Sequence, residues 1–163
     1  MIAFRAERLV RTHHFELPMA PRDAFAFFTP EGERVWAQGW DPRYVHPADG
    51  EATPGMVFTT GHGGEETLWM MLRHEPAHGV VEYVRVTPGS RMGTVRVQCA
   101  ESGAGTRVTV TYALTALTPE GNATLRALDA ATYESFIESW ESSIRHATAA
   151  TAPAETSASS PRA

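Results

Sequence analysis

Between Gly55 and Leu117 the chain repeats one pattern: a run of apolar, β-branched and aromatic residues, then a short turn built on glycine or proline. The runs are GMVFTTG (55–61), TLWMMLRHE (67–75), VVEYVRVT (80–87), RMGTVRVQCAE (91–101) and TRVTVTYALTAL (106–117). The links between them are as short as Pro88-Gly89-Ser90, which is hairpin spacing, so the runs predict consecutive antiparallel strands. The last run alternates plainly. Val108, Val110, Tyr112 and Leu114 share one face, and Thr109, Thr111 and Thr115 the other. One face of the sheet is expected inside and the other in water.

Helical signals flank this β region. Residues 5–17 (RAERLVRTHHFEL) read as a first strand ending at Pro18, and Pro21 opens a short helix, PRDAFAFF. Thr29-Pro30-Glu31 has the form of a second helix start: a hydroxyl cap, proline at the first position and an acid in the first turn. That helix is expected to end near Ala37, because Gly39 follows. Beyond Thr118-Pro119-Glu120-Gly121, a helix is predicted from about Asn122 to His146. Its apolar stripe is Leu125, Leu128, Thr132, Phe136, Trp140 and Ile144. The segment 151–163 is small, polar and proline-containing, and reads as a disordered tail after a single domain over 1–150.

The fold class is therefore α+β. A curved antiparallel sheet wraps around a long C-terminal helix, with two short helices after the first strand. One helix cannot close both ends of such a sheet, so the short helices are the available lids. The stretch FTPEGERVWAQGWDP (28–42) belongs to that lid, which places Trp36 and Trp40 at the mouth between sheet and long helix.

Composition excludes several functions. Net charge is −5 and the arginines are scattered singly, without the basic stripe of a nucleic-acid binder. All 14 basic residues are arginine, which removes Schiff-base and P-loop lysine chemistry. Cys99 is the only cysteine, so neither an intramolecular disulfide nor a multi-cysteine zinc site can form. Of the seven histidines only His74 and His78 stand four apart, and they flank a proline turn instead of sharing a helix, while His13 and His14 point to opposite faces of a strand. No metal and no cofactor is expected. No segment approaches the roughly 20 apolar residues of a membrane span. MIAFRAERLVRTHH lacks the apolar core of a secretory signal, so the chain reads as cytoplasmic. The GHGG loop at 61–64 resembles an esterase donor loop, yet no G-x-S-x-G elbow or parallel sheet accompanies it. An ordinary hairpin is expected there, with His62 beside it.

FTPEGERVWAQGWDP, followed by PGMVFTT, LWMM, VEYVRVTPGSRMGTVRVQC and GTRVTVTYALTALTPEGN, resembles the START-like (SRPBCC) superfamily over about residues 8–147. This is the helix-grip fold of polyketide cyclases, lipid-transfer domains and pollen-allergen-like proteins, and the chain is similar to bacterial members known only as SRPBCC proteins. The resemblance implies a small hydrophobic or aromatic ligand held between sheet and C-terminal helix. Its walls would be Trp36, Trp40, Phe58, Trp69, Tyr83, Tyr112, Phe136 and Trp140. It leaves two alternatives open, a cyclase or aromatase using the same cavity and a chaperone-accessory or other interaction module. An inward titratable residue favours the enzyme. A filled interior beside an exposed apolar patch favours the module. Glu82, Arg85 and Arg96 lie within strands, where a charge facing inward would orient a ligand or do acid–base work.

Overall fold

The computed structural model describes residues 3–151. Seven strands form one antiparallel sheet: β1 (Arg8–Leu17), β2 (Arg43–His46), β3 (Val57–His62), β4 (Glu65–Glu75), β5 (Val80–Thr87), β6 (Arg91–Ser102) and β7 (Gly105–Ala116). Their order across the sheet is β1-β7-β6-β5-β4-β3-β2. The first strand thus lies beside the last, in register from Arg8↔Thr115 to Leu17↔Thr106. Two short helices, α1 (Pro21–Phe25) and α2 (Pro30–Glu33), fill the connection after β1, with a 3₁₀ turn at Ala26–Phe28 between them. The long pattern after β7 becomes α3 (Pro119–Ala127) and α4 (Ala130–Thr151). No described helix is long and apolar enough to cross a membrane.

The alternation in the sequence decides which side of the sheet is covered. On β7, Val108, Val110, Tyr112 and Leu114 are buried. On β4 the buried set is Thr67, Trp69 and Met71, while Leu68, Met70 and Leu72 face outward. The β3–β4 connection is tighter than a flexible loop. Gly63 and Gly64 both have positive φ, +57° and +83°, and His62 pairs directly with Glu65. That is a two-residue hairpin turn of the kind that matches sheet twist and favours glycine at both positions.

The structure departs from expectation in three places. The strand β2 is absent from the sequence reading because its four residues lie between Pro42 and Pro47 and are mostly exposed. The expected helix over Asn122–His146 is instead two helices. Leu128 leaves helical geometry with ψ of 59°, and Asp129 starts again, its carboxylate accepting from the Thr132 amide at 2.8 Å. This break resets the phase of the stripe. Tyr133, Ile137 and Ile144 are the buried residues of α4, whereas Thr132 is exposed and Phe136 stays 41% exposed. Of the tail expected over 151–163, Thr151 is the last residue of α4 and the remainder lies outside the described residues.

Candidate functional site

The lid is built from hydrogen bonds within its own segment. Thr29 caps α2 by accepting from the Gly32 amide at 3.1 Å. Regular helix stops at Glu33, and a further turn closes with the Ala37 amide on the Glu33 carbonyl at 2.8 Å. The Trp36 indole then donates to the Phe27 carbonyl and the Trp40 indole to the Pro30 carbonyl, both at 2.9 Å. Arg34 donates to Glu31 and Asp41 at 3.0 Å each and to the Pro42 carbonyl at 2.9 Å. Asp41 therefore fixes the turn before Pro42, as a turn aspartate should.

So anchored, the two tryptophans face different walls. Trp36 lies 5.4 Å from Trp140 of α4, ring centre to ring centre. Trp40 lies 6.0 Å from Phe58 on β3 and 5.8 Å from Trp69 on β4, edge-on to both. Phe58 and Trp69 stack nearly parallel at 5.8 Å, and Tyr83 of β5 meets both edge-on. On the far side Tyr112 of β7 contacts Phe136 and Trp140 at 6.1 and 6.5 Å. These rings enclose a cavity of about 330 Å³ between the sheet, the lid and α4. All eight aromatic residues singled out in the sequence border it. Phe136 does so from the rim rather than from the core, given its exposure. Because Trp140 is packed on one side and borders open space on the other, Trp140→Ala should cost about 2 kcal/mol, less than a fully enclosed tryptophan. Urea titration measures it.

Polar groups are few and fixed. The Tyr83 hydroxyl donates to the Phe28 carbonyl at 2.7 Å, and the Trp69 indole to Thr60 at 3.0 Å. Four charged residues line the cavity: Glu33, Glu65, Arg85 and Arg91. Arg85 shares strand parity with Val81, Tyr83 and Thr87, all buried, so it faces inward. Its guanidinium carbon lies 5.0 Å from the Trp69 ring centre. Glu82 and Arg96, opposite each other in register, occupy the outer face. Alternation puts Glu82 and Arg85 on opposite faces of β5, and the buried neighbours in the structure decide which of them is inward.

Glu33 was not legible. It sits at the end of α2, lines the cavity, and makes no side-chain hydrogen bond among the described residues. Desolvation pushes its carboxyl from the ordinary 4.5 up to about 8, so it holds a proton at neutral pH. Its neighbours are phenols. Burial raises the Tyr112 hydroxyl to about 12 and Tyr83 well above its ordinary value, and the Glu33 charge adds to both shifts. His62 and Glu65, from the hairpin, complete the open end. A neutral carboxylic acid in an apolar chamber can donate a hydrogen bond to a ligand oxygen or exchange a proton with it.

Solved structures with the same architecture confirm the topology. An uncharacterized protein from Rhizobium leguminosarum superposes with a TM-score of 0.64 at 14% identity, covering 87% of this chain and 97% of its own. Ara h 8.0201 gives 0.61 at 12% identity, over 88% and 99%. Norcoclaurine synthase from Thalictrum flavum gives 0.65 at 10% identity, over 93% and 98%. The chain has the START-like helix-grip fold. No protein-family model matches its sequence, and no curated protein does. At these identities the likeness extends to the START-like backbone and stops there.

Proposed function

We propose that this chain, as one START-like domain over residues 1–150, binds a small apolar or aromatic molecule in the cavity between sheet and α4. The observation that carries the reading is the convergence of eight aromatic side chains on an unfilled space of about 330 Å³. Ligand sites are typically concave, mostly apolar and furnished with a few placed polar groups. An interaction module with its interior filled by its own side chains is disfavoured by that space.

A second reading has its own support. Glu33 is an inward carboxyl with no protein partner among the described residues and a pKa near neutrality, which is the equipment of a general acid–base group. The same fold serves norcoclaurine synthase, so catalysis on this scaffold has a precedent. In that case the bound molecule is a substrate of cyclase or aromatase type, and Glu33 moves the proton.

Titration with planar aromatic and fatty-acyl ligands, followed by tryptophan emission, tests the binding reading. All four tryptophans of the chain border the cavity, so emission reports on it directly. Saturable change in the wild type is expected, weakened about tenfold in Trp36→Leu or Trp40→Leu with the fold retained. A flat response across the panel, with leucine variants that lose only stability, would sink the reading. Native mass spectrometry of protein from its own host would show a retained molecule directly. Glu33→Gln separates the two readings: binding survives in both, and turnover disappears only if the second holds.

A further inference from the structure

The cavity does not end at its aromatic walls. A second cavity of about 280 Å³ adjoins it under α3 and the start of α4, and the two share Arg85, Arg91, Tyr112 and Phe136. Arg85 therefore stands at the junction. Its bonding is incomplete. Nη2 donates to Thr87 Oγ1 at 3.3 Å, a long contact to a hydroxyl already engaged with Thr67 at 2.8 Å. Nε is buried and has no partner among the described residues. Among the described residues Arg85 forms no ion pair, although a guanidinium stays charged in proteins. Leaving such a donor and charge buried without a counter-ion is costly, and structures keep the arrangement where something else completes it.

The neighbouring charges cannot do so. Arg91, the other cation at the junction, already holds Glu65 at 3.1 Å and Ser90 Oγ at 2.8 Å. Glu33 lines the same cavity but forms no ion pair with Arg85 among the described residues. The charges of Arg91 and Glu65 cancel, Glu33 is protonated at neutral pH, and one positive charge remains, on Arg85. On β6, its partner in register is Gly93, which brings no side chain to crowd it.

We infer that the ligand is an aromatic acid: an apolar ring system among the tryptophans carrying one carboxylate that Arg85 receives through its terminal guanidinium nitrogens. This rests on the binding reading above and specifies its chemistry. Trp69 holds the guanidinium plane from one side by cation–π contact, so the fork is oriented before the ligand arrives. Charge-assisted hydrogen bonds to an oriented arginine fork distinguish a carboxylate from an isosteric neutral group.

Three probes of one shape test it: naphthalene-2-carboxylate, its primary amide and its methyl ester, titrated at pH 7 against the full chain. The carboxylate is expected to bind wild type at least about tenfold tighter than the amide. In Arg85→Gln that preference should vanish while the amide and ester keep their affinities. Arg85→Lys, which retains charge without the fork, should keep a weaker preference. Equal binding of all three probes to wild type overturns the inference and leaves the apolar binding reading standing. A carboxylate preference that persists in Arg85→Gln also overturns it. If no probe binds wild type, both fall together. Should Arg85→Gln fail to fold, the wild-type preference and the Arg85→Lys titration decide the matter.

Discussion

Glu33→Gln is expected to stabilise the protein by about 2–4 kcal/mol at pH 8 and by less than about 1 kcal/mol at pH 5. The sign follows from the raised carboxyl. In the folded chain Glu33 keeps its proton to about 8, whereas in the unfolded chain it loses it near the ordinary 4.5. Between those values the unfolded state binds fewer protons, so stability falls as pH rises, by up to about 1.4 kcal/mol per pH unit. The contribution is intact below the unfolded value and lost once the folded value is passed. The range given is smaller than the full shift implies, because the carboxyl borders a cavity that water can enter. Glutamine keeps the shape and removes the titration. Urea unfolding of both proteins across pH 4.5–9 isolates the difference, since every other group is common to the two. Superimposable pH profiles would show that Glu33 ionises like a surface glutamate.

Gly32→Ala should cost about 3 kcal/mol, against what helix propensity alone says. Alanine in a helix gains about 1 kcal/mol over glycine, so an unconstrained position would be stabilised. Here a Cβ would lie 1.9 Å from the Ala26 carbonyl oxygen and 2.9 Å from its carbon. These are backbone atoms of the 3₁₀ turn on which α2 is packed, and they cannot move aside as a side chain would. The displacement would carry Glu33 and Trp36 with it. Thermal or urea unfolding gives the sign at once: stabilisation would mean that the close approach of α2 to this turn is not a constraint.

The strands from Val57 to Ala116 were legible because each carries its own alternation and its own turn, both local properties. Their order across the sheet followed from hairpin links, whereas the pairing of β1 with β7 joins residues about a hundred positions apart and has no local signal. The helix phase was less legible. Leu128, Thr132 and Phe136 continue the spacing of Leu125 in sequence, and only the Asp129 cap shows that the count restarts. Tyr133, Ile137, Trp140 and Ile144 then form the inward stripe, at spacings of four, three and four. The eight cavity aromatics came as a set with the fold resemblance, since burial alone does not separate them from Phe15, Phe25, Phe28 and Tyr133, which are buried without bordering the cavity. Their partition between lid, sheet and helix was not legible, since it depends on contacts distant in sequence such as Trp36 with Trp140. The inward face of Arg85 was not, because the parity it shares with Val81, Tyr83 and Thr87 is no more apolar than the one Glu82 shares with Val80, Val84 and Val86. Nor was Glu33, because the cavity it lines is closed by walls from β5, β7 and α4 that are distant in sequence.

The bonds that hold the lid bear on how fast a bound molecule can leave. Trp36 and Trp40 are each tied to a carbonyl of the segment that precedes them, and Arg34 ties the start of that segment to its end. Neither indole can swing aside alone without breaking its own bond. Widening the mouth on the lid side therefore moves the block from about residue 26 to 42 together. Collective movements of that size run in microseconds to milliseconds, against picoseconds to nanoseconds for a free side chain. Widening of the lid side of the cavity then runs on the slower of these timescales, while the open end beside the β3–β4 hairpin depends on no such movement.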